Sequence, residues 1–121
     1  MTLPAINPGG QQQMSEYSTR GLVATTPRFM VLQDGVALAN FRLAEWAGDA
    51  EDTKNLNWFS VVVHGELAHQ VRNGLTKGAR VLIQGDLVIR QWEHDTTRAS
   101  GSTAELTARA IGYDIAWEDK P

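Results

Sequence analysis

Hydrophobic and polar residues alternate along most of this chain, the period of a half-buried β-strand. Between Val36 and Trp46, Ala37, Ala39, Phe41 and Leu43 fall on one face and Leu38, Asn40, Arg42 and Ala44 on the other. Between Trp58 and His64, Phe59, Val61 and Val63 oppose Trp58, Ser60, Val62 and His64. Between Arg80 and Glu93, Val81, Ile83, Gly85, Leu87 and Ile89 oppose Leu82, Gln84, Asp86, Val88, Arg90 and Trp92. The first set in each strand is the more apolar and predicts the core. Tyr17–Thr25 and Arg28–Leu32 are further strand-like runs, and Pro27 between them predicts a bend or an edge. Asp34-Gly35 is a hairpin signal. Gly85 suggests a bulge or coil in a bent sheet. A Ser/Thr/Gly loop over 94–103 and a last strand over Ala104–Trp117 complete the series.

One segment has helical spacing. Leu67, Ala68, Val71 and Leu75 share a helical face, Glu66 stands in the first turn, and Gly74 or Gly78 ends it. Residues 1–16 open with Pro4, Pro8, Gly9, Gly10 and three glutamines, have no periodicity and predict a disordered leader. Met14 offers an alternative start. One domain over 17–117 and a short tail over 118–121 follow. The expected fold is all-β: a five-stranded barrel with one helix between the third and fourth strands, the oligonucleotide/oligosaccharide-binding (OB) arrangement.

Composition narrows the function classes. The chain has 121 residues, enough for one compact domain, and 42% of them are hydrophobic, which argues against global disorder. It has no cysteine, so disulfides, thiol nucleophiles and Cys-type zinc sites are excluded. That is compatible with a reducing cytoplasm. The apolar runs are too short to span a membrane as helices, and the N-terminus lacks the pattern of a signal peptide.

The net charge of −3 at first points away from nucleic acid. Its distribution changes that. Glu45, Asp49, Glu51 and Asp52 against Lys54 place three excess acids in the loop 45–57, and two more fall in 111–121. Residues 58–92 carry Arg72, Lys77, Arg80 and Arg90 against Glu66 and Asp86, a small basic excess.

Within that stretch the outward positions attract attention. Trp58 and His64 share an outward face roughly 20 Å apart along one strand. Arg90 and Trp92 end the outward face of the next. Trp46 closes the outward series that includes Asn40 and Arg42. A large aromatic gains little free energy while solvated. An aromatic platform with neighbouring arginines is suited to stacking on unpaired bases and meeting phosphates. A single tryptophan could equally pack against a loop or another subunit.

Other constellations fail. His64-Gly65-Glu66-Leu67-Ala68-His69 is not HExxH, because a strand–helix junction separates the first histidine from the helix. Glu66 and His69 at i, i+3 lack the second copy that a di-metal bundle needs. His94 falls in a loop, the acids 49–52 are consecutive in another, and Gly74–Gly78 lacks P-loop spacing. No catalytic set, metal site or cofactor is indicated, and the chain reads as a non-enzyme.

Several stretches resemble the bacterial single-stranded DNA-binding protein family. They are Ala39-Asn40-Phe41-Arg42-Leu43-Ala44, the run from Trp58 to Ala68, the run from Lys77 to Leu87, and Arg90-Gln91-Trp92. They are collinear and lie within about residues 17–117. The stretch Ile111–Trp117 looks more like actinobacterial members. The resemblance implies a homotetramer of OB domains, built of dimers, that wraps single-stranded DNA without sequence preference in replication, recombination and repair. It implies a cytoplasmic, nucleoid-associated protein whose partners include replication or recombination proteins. The family's stacking tryptophans fall on Trp58 and Trp92, its basic residue on Arg90, and a stacking phenylalanine on His64. Trp46 lies a few positions from a third tryptophan. Val88 and Ser60 stand where basic residues are common, and this sequence lacks the family's usual linker and acidic tip, which fits either a truncated sequence or a short paralogue. A second reading is an OB assembly module similar to primosomal replication protein N, binding replication proteins with weak DNA affinity. A third, a carbohydrate or small-ligand module, lacks the clustered acid–aromatic pocket it would need.

Overall fold

The computed structural model describes residues 12–46, 56–93 and 100–117. The element order is β1 (Gln12–Val23), β2 (Arg28–Val31), β3 (Ala37–Trp46), β4 (Leu56–His64), α1 (Glu66–Gly74), β5 (Arg80–Glu93), β6 (Ser100–Tyr113) and a 3-10 turn, Ile115–Trp117. The strands form one sheet in the order β1-β5-β6-β4-β3-β2, and β1 pairs additionally with β3. Leu22 and Val23 of β1 meet Ala44 and Leu43 of β3, so the hydrogen-bonded path from β1 through β5, β6, β4 and β3 returns to β1.

Six strands replace the expected five because the first arm is interrupted near Pro27, as its sequence suggested. At that interruption Ala24 N–H donates to the Arg42 carbonyl (2.8 Å) and Arg42 N–H donates to Thr25 Oγ1 (2.9 Å). The bend therefore satisfies backbone groups of β3 that β1 and β2 leave between them. The Asp34-Gly35 hairpin forms with Gly35 at φ 88, and Asp34 Oδ1 accepts from Val36 N–H (3.0 Å).

The inward residues of β3, β4 and the first half of β5 are the expected ones. Leu43, Ile83, Leu106, Val23, Val61, Val63 and Val81 are the largest fully buried side chains. Each contributes roughly 1.5–3 kcal/mol of apolar burial. Helix α1 closes the structure with Ala68 and Val71 buried and Leu67 and Leu75 packed at the rim. It stops at Gly74, and the following turn at Gly78 (φ 96) is tied to β1 by Gly78 N–H to the Val23 carbonyl (2.8 Å).

Several boundaries differ from those the sequence predicts, most at β1 and β6. The expected leader over 1–16 is too long: β1 already starts at Gln12, and Gln12–Glu16 pair with Arg90–Asp86 of β5. Backbone pairing along a long partner strand needs no hydrophobic periodicity, so composition concealed it. The last strand starts at Ser100, before the expected Ala104, because Ser100–Thr103 pair with Glu93–Arg90. It ends at Tyr113, before the expected Trp117, where Asp114 Oδ1 accepts from Ala116 N–H (3.1 Å) and turns the chain. The proposed tail 118–121 and the residues before Gln12 lie outside the described residues.

The expected irregularity at Gly85 is present, but its extra residue is on the partner strand. Gln84 pairs with Ala110 and Gly85 with Ala108, leaving Arg109 outside the ladder. A bulge of this kind re-aims side chains. Arg109 and Ala110 are both exposed, whereas Ile111 returns to pack on the core.

Candidate nucleic-acid interface

The outer face is laid out by register. Arg42 lies opposite Ser60 and Ala44 opposite Trp58 across the antiparallel β3–β4 pair. Ser60 lies beside Glu105 across the parallel β4–β6 pair, and Glu105 lies opposite Val88 across β5–β6. Opposed residues share a face, so Arg42, Ser60, Glu105 and Val88 form one row across four strands.

Trp58 is 47% exposed, a large value for an indole. The Arg42 guanidinium stands 5.4 Å from the centre of its ring, within cation–π range. Arg42 is itself exposed, and its backbone is held by Ala24 and Thr25. His64, exposed at the far end of β4, pairs with Leu38. The structure thus places Trp58, Arg42 and His64 on the outer face of the β3–β4 pair.

Arg90 projects from β5 with half of its side chain exposed, and its Nη2 donates to Glu105 Oε1 at 3.2 Å. Glu105 is a neighbour the sequence reading missed. Alternation with Leu106 could have placed it outward, but only the pairing of β6 between β4 and β5 puts it beside Arg90. The backbone of Trp92 pairs with Gly101. The Trp92 side chain lies outside the described residues, as do His94 and the acids 49–52.

Val88 departs from its expected exposure. It is 7% exposed, enclosed within the sheet beside Glu105 on one side and the backbone of Met14 on the other. Leu82, which the same alternation turns outward, remains 49% exposed.

Trp46 has different surroundings from Trp58. Its half-buried ring lies under the Arg80 guanidinium at 5.3 Å, and it lines an open groove of about 960 Å³ with Thr19, Arg20, Glu45 and Leu82. Adjacent Glu45 accepts from Tyr17 Oη (2.8 Å), from Thr19 Oγ1 and from Asn57 Nδ2 (2.9 Å). Burial, reinforced by the hydrogen bond to Glu45 and by its negative charge, pushes the Tyr17 phenol up to about 12. This network ties β1, β3 and β4 together and was not visible in the sequence, because its members are far apart along the chain.

Further ion pairs join distant parts of the chain. Arg109 donates to Asp86 (2.6 Å) and Glu16 (3.0 Å), and these contacts, the Asp86 hydrogen bond first, favour its charged form. Arg20 Nε meets the buried Asp114 at 2.7 Å. His69 leans on Phe29, ring centres 5.2 Å apart, and Glu66 accepts from Gln70. Among the described residues no group of three or more His, Asp or Glu is arranged to hold a metal. Among them, too, no helix is long and apolar enough to cross a membrane.

The fold and this face define a one-sheet module whose outer surface presents an indole beside a guanidinium. Residues 14–113 match the profile of the Single-strand binding protein family. The chain belongs to that family. Over 114 residues it is 31% identical to Single-stranded DNA-binding protein 2 of Tropheryma whipplei (strain Twist), covering 88% of this chain and 72% of that protein. Over 102 residues it is 35% identical to Single-stranded DNA-binding protein 1 of Streptomyces coelicolor, covering 79% of this chain and 64% of that protein. The crystal structure of a small single-stranded DNA-binding protein from Streptomyces coelicolor superposes with a TM-score of 0.73 at 32% identity, covering 84% of this chain and 95% of that one. The resemblance to actinobacterial members is borne out by these relatives.

Proposed function

We propose that this chain binds single-stranded DNA without sequence preference, on the outer face carried by β3, β4 and β5. The observation that carries the reading is the half-exposed Trp58 ring with Arg42 over it. An exposed indole offers a stacking surface to any base, and the adjacent guanidinium offers phosphate a partner. Trp92 supplies a second stacking surface, His64 a weaker one, and Arg90 a second cation. Trp46 extends the path toward the groove beside Arg80. The sheet that returns from β3 to β1 is an OB-type barrel, supported by its strand order and by the helix between β4 and β5.

The role is binding and protection, without chemistry on the DNA, in the nucleoid during replication, recombination and repair. The chain works as a homotetramer built of dimers. Exposed Leu82 (49%), Tyr113 (65%) and Ile115 (78%) support self-association, since a solitary domain gains nothing from exposing them.

Titration with oligo-dT at low salt, read by tryptophan fluorescence and by mass in solution, tests the proposal. Quenching that weakens with salt, in a species of four chains, is expected. Fluorescence that stays flat through a micromolar titration sinks the DNA-binding reading.

A further inference from the structure

We propose that Glu105 competes with DNA phosphate for Arg90, so that a carboxylate of the protein itself limits how strongly the face grips the DNA backbone. The inference rests on the reading that this face binds single-stranded DNA. Arg90 Nη2 and Glu105 Oε1 are 3.2 Å apart, with side chains 50% and 28% exposed. The pair is reachable from solvent and so from an incoming strand.

Position makes this pair different from an incidental surface contact. Glu105 sits between Ser60 and Val88 in the row that begins at Arg42. It therefore stands between the Arg42–Trp58 half of the face and the β5 half that carries Arg90. A phosphate crossing from one half to the other meets this negative charge midway. Carboxylate and phosphate present similar acceptor oxygens to a guanidinium. For Arg90 to hold phosphate, its contact with Glu105 must open, leaving the carboxylate unpaired beside a second anion. Val88, 7% exposed next to Glu105, adds no opposite charge to compensate. Among the described residues no carboxylate pairs with Arg42, whose neighbour across the β3–β4 pair is the neutral Ser60. The two arginines thus differ in readiness, with Arg42 backing a stacking ring and Arg90 engaged by an acid.

The test is a double-mutant cycle with full-length protein and oligo-dT as the probe. Glu105→Gln keeps the shape and removes the charge. Affinity at low salt is expected to rise about two- to fivefold, the scale of one exposed ion pair. The plot of log affinity against log salt should steepen by about 0.7, one additional single-strand phosphate contact. In an Arg90→Gln background the gain should vanish, because the competitor then has nothing to compete for. Glu105→Ala should move affinity in the same direction, which guards against a distortion peculiar to glutamine. Unchanged or weaker binding by both Glu105 variants, with unaltered melting, overturns the inference and makes Glu105 a positioning residue for Arg90. An equal gain with and without Arg90 overturns it in favour of general repulsion. Wild-type protein that binds no oligo-dT at any salt overturns the DNA-binding reading itself and the inference with it.

Discussion

The guanidinium of Arg42 lies 5.4 Å from the centre of the Trp58 ring, across the β3–β4 pair and two residues along it. The arginine's backbone accepts from Ala24 N–H and donates to the Thr25 hydroxyl, at the bend that divides β1 from β2. The bend between β1 and β2 thus anchors the β3 backbone from which Arg42 reaches the Trp58 ring on β4. Trp58→Ala should weaken oligo-dT binding by about 1–3 kcal/mol, the value of one stacked base. Arg42→Gln should weaken it less and flatten its salt dependence. Fluorescence titrations of both variants at several salt concentrations check this, and an unaltered affinity for Trp58→Ala would place the DNA elsewhere.

Gly21 sits where β1 passes from β5 to β3. A Cβ there would lie inside contact distance of the Ala44 carbonyl oxygen and 3.1 Å from its carbon. Both are backbone atoms in a paired strand and cannot swing aside. Gly21→Ala should cost about 1–3 kcal/mol. Thermal melting should shift downward by several degrees, and retention of the wild-type melting temperature would contradict the close approach.

Asp114 ends β6 and is buried while bonded to Arg20 and to the Ala116 amide. Asp114→Ala removes both acceptor roles and exposes the turn to fraying. A loss of about 1–3 kcal/mol is expected, measured by chemical denaturation.

The Tyr17 phenol, raised from 10.0 to about 12, links stability to alkaline pH. Because the folded value lies above the unfolded one, the contribution is fully present below pH 10.0 and is lost as pH rises through about 12. Spectrophotometric titration in a Tyr113→Phe background isolates this group. Ionisation of Tyr17 near its ordinary value in the folded protein would show that its contact with Glu45 and its packing on Phe59 do not hold in solution.

The salt dependence of wild-type binding should be shallow for a nucleic-acid binder. Arg20, Arg90 and Arg109 all face carboxylates in the free protein. Fewer phosphate contacts release fewer counterions. A steep slope, comparable to that of a strongly basic protein, would contradict this balance.

Alternation by itself determined which residues of β3, β4 and the first half of β5 face the core, and therefore that Trp58, His64 and Arg42 face outward. The helix, the Asp34-Gly35 turn and the interruption at Pro27 were equally legible, because each depends on a few neighbouring residues. Tertiary structure decided the rest. A period of two assigns a residue to a face but says nothing about what stands beside it on the next strand. That neighbour is set by hydrogen-bond register between segments far apart in the chain. Glu105 meets Arg90 only because β6 runs between β4 and β5, and Arg109 reaches two acids only because a bulge opposite Gly85 ejects it from the ladder. Val88 was expected outside by its parity, yet the strands on either side enclose it. The polar start of β1 carried no pattern at all, since backbone groups pair with a partner strand whatever their side chains are.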